Sequence, residues 1–123
     1  MEYLDYRATL KRLMNDVEFV GELYTTFLDT YDTRINHILE LMDACAYDAL
    51  WKEAHGLKGA SGTINAARLQ ACALELEEAA RAQDAEALRL LRPRFAEVCH
   101  ETAAHIRQWL VTHGDADAQI NGD

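Results

Sequence analysis

The strongest constraint on the fold is a spacing of apolar residues by three and four, repeated in four segments, with no alternating strand-like pattern anywhere between them. Val20, Tyr24, Phe27, Tyr31, Ile35, Ile38, Met42 and Cys45 predict one long amphipathic helix from about Asp16 to Cys45, with Asp16 placed to cap it. Leu50, Ala54, Leu57, Ser61 and Ile64 predict a second helix that starts at about Asp48, another candidate cap. Leu69, Ala73, Leu76 and Ala80 mark a third, and Leu88, Leu91, Phe95, Val98, Thr102, Ile106 and Trp109 a fourth, started by Asp84. The connections are a few residues long, so consecutive helices must run antiparallel. Leu4, Leu10 and Leu13 predict a further short helix that covers one end. The expected fold is all-α: an antiparallel up-and-down four-helix bundle with a short extra N-terminal helix, over residues 1–113. Pro93 is expected to kink the fourth helix. The last residues, GDADAQINGD, open on a helix-stopping glycine and have no periodicity, so 114–123 are expected to be a disordered tail.

Composition narrows the function. A chain of 123 residues, half of them hydrophobic, suits one domain with one core. The formal charge of -9, from 21 acidic and 12 basic residues, argues against nucleic acid or an anionic membrane as the main partner. Cys45, Cys72 and Cys99 are odd in number and lack CxxC spacing, which suggests neither a disulfide framework nor a zinc site. No basic leader precedes an apolar run, and nowhere do 18 apolar residues stand together. The expectation is a soluble, unprocessed, cytoplasmic protein, monomeric by default.

The stretch AHGLKGASGTINAARL, residues 54–69, places glycines at 56, 59 and 62 inside a segment that otherwise reads as helix. Each costs ~1 kcal/mol relative to alanine. At about 100° per residue, the stripe 50, 54, 57, 61 and 64 is the buried side, and His55 points roughly 140° from its centre, towards solvent. Lys52 and Lys58 are its neighbours at i-3 and i+3, and Gly59 and Gly62 share the outward side. The chain has only three lysines, and two flank this histidine. A solvent-facing imidazole is a nucleophile near neutral pH, ammonium groups stabilise phosphoryl oxygens as point charges, and absent side chains let another protein's active site close over the ring. An ordinary surface histidine beside ordinary lysines is the bland alternative. It leaves the glycines unexplained.

His55, Leu57, Lys58, Gly59 and Ser61, followed by Ala66 and Leu69, resemble the signature of histidine-containing phosphotransfer (HPt) domains: His-x-Leu-Lys-Gly-x-Ser, then Gly-Ala-x-x-Leu. The resemblance extends to helix lengths and order from about Asp5 to Leu110. It implies that His55 accepts a phosphoryl group from the phospho-aspartate of a receiver domain, in a response regulator or hybrid histidine kinase, and passes it to another receiver. It also implies a carrier that does not bind ATP, with no cofactor or metal of its own and Mg²⁺ supplied by the receiver. Lys58 would attend the phosphoryl oxygens, and Glu77 would bond the histidine's other nitrogen, leaving Nε2 free. Lys52, Trp51, Gly59, Gly62 and Ser61 would belong to the receiver-docking face. One departure is Asn65, where the family pattern usually has glycine; asparagine tolerates the left-handed conformation next best.

Other motifs lack their context. GLKG matches the GxxG of KH-type RNA binders, and KGASGT faintly a phosphate loop, yet both need strands. Glu97 and His100 form one Glu-x-x-His where a di-iron bundle needs two, and His100, Glu101 and His105 have the wrong spacing for zinc. His37, His100, His105 and His113 are expected to be solvated or helix-terminal. The second functional class is a helical adaptor or inhibitor that binds a receiver or histidine kinase without carrying phosphate.

Overall fold

A computed structural model describes residues 2–122, with side chains over 2–113. Five helices and no strands occur among the described residues: α1 (Tyr6–Arg12), α2 (Val17–Asp43), α3 (Tyr47–Thr63), α4 (Ala67–Arg81) and α5 (Ala85–Gly122). The expected disordered tail over 114–123 lies outside the residues described with side chains. α5 continues through Pro93, which has no N–H to donate to the preceding turn.

Aspartates start three of the helices. Asp5 Oδ1 accepts from the Ala8 N–H at 3.1 Å, Asp16 Oδ1 from Phe19 at 3.0 Å and Asp84 Oδ1 from Ala87 at 3.0 Å, each satisfying an N–H that the helix start leaves orphaned. Asp48 does not cap α3. The cap position is Ala46, with no side-chain bond, and Asp48 falls in the first turn, where its charge favours the helix dipole.

The helices end on left-handed residues. Cys45 (φ 50), Asn65 (φ 58) and Gln83 (φ 54) occupy that region, and no glycine with described geometry does. Cys45 is therefore not part of the buried stripe; it is exposed, because α2 stops at Asp43 and the chain reverses there. The reversal after α3 is closed by two backbone bonds, Asn65 N–H to Gly62 O at 3.1 Å and Ala66 N–H to Ser61 O at 2.9 Å. α1 then covers this end: the Asp5 N–H donates to Asn65 O at 2.9 Å, and Thr9 Oγ1 donates to Asn65 Oδ1 at 2.7 Å.

Helix pairing follows burial. Val20, Tyr24, Ile38, Leu50, Leu57, Leu69, Leu76, Leu88, Phe95 and Ile106 form one continuous core, each at 2 % exposure or less. Burying one such side chain is worth ~1.5–3 kcal/mol, far more than a surface ion pair such as Arg92–Asp43 supplies. α3 packs on α4 most extensively, α4 on α5, α5 on α2 and α2 on α3. Both α3 and α4 are thereby held in register by the core.

A left-handed residue other than glycine costs ~1–2 kcal/mol, offset in part by the extra freedom glycine brings to the unfolded chain. Gln83→Gly should raise stability in urea unfolding by ~0.5–1 kcal/mol on that balance. Asn65→Gly, the change towards the family pattern, should not stabilise, because it deletes the acceptor of the buried Thr9 hydroxyl. Equal gains at both positions would show that the Thr9 bond contributes nothing.

Candidate functional site

His55 lies on the face of α3 turned from the core. Leu50, Ala54, Leu57 and Ser61 are fully buried, and helical geometry then directs residue 55 outward; its side chain is 59 % exposed. One edge of the ring is nevertheless held. Nδ1 lies 3.2 and 3.3 Å from the two carboxylate oxygens of Glu77 on α4, a side chain only 8 % exposed.

A carboxylate at that depth needs compensation, and two cations provide it. Lys58 Nζ stands 2.9 Å from Glu77 Oε1, and Arg81 Nη2, one turn along α4, 3.4 Å from Oε2. The Lys58 bond is the main influence that lowers the Glu77 carboxyl pKa; desolvation opposes it and the His55 bond adds to it. An ionised carboxylate can only accept. The proton of the His55–Glu77 bond must therefore sit on Nδ1, which leaves the lone pair on Nε2. No polar group bonds Nε2 among the described residues.

Arg81 was not among the sequence-predicted residues. Its guanidinium carbon sits 4.0 Å from the centroid of the Trp51 ring, and Lys52 Nζ stands 5.8 Å from the same ring. Trp51 is half-buried against the core one turn before His55. The i,i+4 spacing of Glu77 and Arg81 was the available signal. Lys52 thus turns towards Trp51, while Lys58 is occupied by Glu77.

The glycines divide. A Cβ at Gly56 or Gly59 would meet nothing within 4 Å, so both leave open surface beside His55. Gly62 differs from the outward role expected of it: a Cβ there would lie 2.5 Å from Gln70 Nε2, so its absence gives room to an exposed side chain of α4. Ser61 is a second correction. It is wholly buried and donates to Leu57 O at 2.7 Å, which removes it from any docking face.

None of the other histidines meets such a partner. His37 and His100 are exposed, His105 stacks on Tyr3 at 5.1 Å, and His113 Nδ1 lies 3.0 Å from Trp109 O. Among the described residues no group of three or more His, Cys, Asp or Glu side chains is arranged to hold a metal. No described helix is long and apolar enough to cross a membrane.

Because the folded-state pKa of Glu77 is depressed, its contribution to stability is complete above the ordinary carboxylate value of about 4.3 and is lost as pH falls through the lowered one. Urea unfolding of wild type and Glu77→Gln should therefore differ most near neutral pH and converge in acid. A gap constant across that range would mean that the ionised form of Glu77 does not support the fold.

A family model for the Hpt domain matches residues 22–109. Comparisons with curated proteins and with solved structures gave no match. The matched span takes in most of α2, all of α3 and α4 with His55, Lys58, Glu77 and Arg81, and α5 as far as Trp109, so the chain belongs to the Hpt domain family.

Proposed function

We propose that the protein is a phosphorelay intermediate: His55 Nε2 accepts a phosphoryl group from the phospho-aspartate of one receiver domain and yields it to the aspartate of another. Family membership carries the coarser part, histidine phosphotransfer in two-component signalling by a phosphocarrier module. The finer part rests on one observation, an exposed imidazole whose Nδ1 edge is held by an ionised Glu77. An adaptor that merely bound a receiver or kinase would have no use for that bond.

In the forward step the Nε2 lone pair attacks phosphorus, and the bond from phosphorus to the aspartyl oxygen breaks with its electrons leaving on the receiver's carboxylate. The ring gains positive charge. The Nδ1 proton stays in place, and Glu77 balances the charge across 3.2 Å. In the second step the acceptor carboxylate attacks phosphorus, and the P–N electrons return to Nε2. The reaction consumes no ATP in this reading, and Mg²⁺ arrives with the receiver. The carboxylate that touches His55 is already shared by Lys58 and Arg81, a donor set that does not suit a divalent cation.

Receivers of response regulators or hybrid kinases are the proposed partners, met by a monomer in the cytoplasm. They would dock over Gly56 and Gly59 on one side of His55 and over Trp51 and Lys52 on the other, with Lys58 turning from Glu77 to the phosphoryl oxygens. The four long helices are taken as an antiparallel up-and-down bundle. Supporting this, His55 meets Glu77 while Gly62 meets Gln70, and Asp43 meets Arg92 while Gly21 meets Trp109.

Incubation with a phosphorylated receiver should place an acid-labile, alkali-stable label on the wild type and none on His55→Gln. Stable label on that variant would refute the assignment. Lys58→Ala should slow transfer more than Lys52→Ala does, read in a time course with one receiver; the opposite order would transfer the role to Lys52.

Gly59→Gln separates folding from docking. Glutamine relieves the helix of a glycine at an exposed position where a Cβ meets nothing within 4 Å, so the variant should melt at the wild-type temperature or above, with a gain of up to ~1 kcal/mol. It should nevertheless receive phosphate far more slowly. A stable variant that transfers at the wild-type rate would remove steric clearance as the reason for Gly59.

A further inference from the structure

Glu77 is shared by three partners, and only one of them is anchored independently of the reaction. His55 carries the incoming group on Nε2 and needs Glu77 to balance the charge that its ring gains. Lys58, 28 % exposed, is the cation that the transfer reading draws to the phosphoryl oxygens. Its departure would strip the principal counter-charge from a carboxylate at 8 % exposure, and an uncompensated buried charge favours taking up a proton. A protonated Glu77 could no longer balance the imidazolium.

Arg81 answers that difficulty. It stands 3.4 Å from Oε2, while Lys58 stands 2.9 Å from Oε1, so the carboxylate has a cation at each oxygen. Its guanidinium is held 4.0 Å over the Trp51 ring, which fixes it without a second carboxylate. It starts four residues after Glu77 on the same helix, α4, so its hold on the carboxylate does not require Lys58. A guanidinium also remains charged at any pH the protein experiences.

Resting on the transfer reading above, we propose that Arg81, seated on Trp51, is a positioning residue that keeps Glu77 ionised and bonded to His55 Nδ1 while Lys58 is engaged by the phosphoryl group. Arg81 touches no reacting atom. It acts through Glu77, and Trp51 acts through Arg81.

Nitrogen-15 NMR of His55 in the unphosphorylated protein, at a pH where the imidazole is neutral, reads the ratio of Nδ1–H to Nε2–H tautomers directly. Lys58→Ala imitates the withdrawal of Lys58 and should leave the ratio within about twofold of wild type, as should Arg81→Ala. Lys58→Ala with Arg81→Ala should lower it by about tenfold or more, because no cation then holds Glu77. Trp51→Leu in the Lys58→Ala background should reproduce much of that fall, and Trp51→Phe should restore the ratio. Where the alanine pair lowers the melting temperature substantially, Lys58→Met with Arg81→Met keeps the aliphatic stems and provides the same comparison.

A double variant that retains the ratio of the single variants would overturn the proposal. So would an Arg81→Ala protein that loses the ratio fully with Lys58 intact, since Arg81 would then be the primary partner and not the reserve. The measurement uses neither receiver nor phosphate. Its failure leaves the transfer reading standing, and a failure of labelling at His55 leaves this result in place.

Discussion

The pairing of α3 with α4 through the left-handed turn at Asn65 is the constraint on which the functional geometry depends. Leu57 and Ser61 on one helix and Leu69, Ala73 and Leu76 on the other are buried together, so neither helix can slide by a residue without exposing its apolar stripe. That register brings Glu77 under His55. A shift of one residue would rotate either side chain by about 100° and break the contact. The turn itself is pinned from outside the pair, because Thr9 of α1 donates its hydroxyl proton to Asn65 Oδ1 at 2.7 Å, and the Asp5 N–H donates to Asn65 O at 2.9 Å. The short N-terminal helix thus acts on the site without touching it.

Within that frame the electrostatics are local. The chain carries a formal charge of -9, yet on the side of His55 it gathers Lys58 and Arg81 on the Glu77 carboxylate and Lys52 on the neighbouring Trp51 ring. A cationic face on an acidic protein suits a partner that presents acidic groups, and it keeps the rest of the surface unattractive to the same partner. The burial of Glu77 gives the arrangement its strength. Hydrogen bonds to a charged group in a poorly solvated position exceed those at an open surface, and the Lys58 bond keeps the carboxyl pKa depressed although burial itself acts to raise it.

Glycine serves space in this molecule and not backbone freedom. Among the described residues the left-handed turns fall to Met14, Asn15, Cys45, Asn65 and Gln83, while Gly56 and Gly59 sit inside α3 with nothing near the missing Cβ. Helix stability is therefore lost at two positions where no neighbour within the chain benefits. Gly62 belongs to a different account, since Gln70 of α4 occupies the room it leaves.

Periodicity alone determined which segments are helical and which face of each is buried, because apolar spacing is a one-dimensional record of a 3.6-residue turn. It also placed His55 outward, and the motif around it identified the family. The left-handed turn at Asn65 was legible through the family resemblance, because the pattern usually has glycine there and asparagine tolerates that conformation next best. Helix ends were less legible, and Cys45 and Asp48 show why. Both fit the neighbouring pattern, and only the chain reversal decides which residue leaves the helix. Apart from Glu77 on His55, which the family resemblance implied, contacts across helices were beyond the sequence. Lys58 on Glu77, Arg81 on Trp51 and Gly62 against Gln70 depend on the register of α3 and α4. That register is set by core packing summed over many side chains, and no short stretch of sequence contains it.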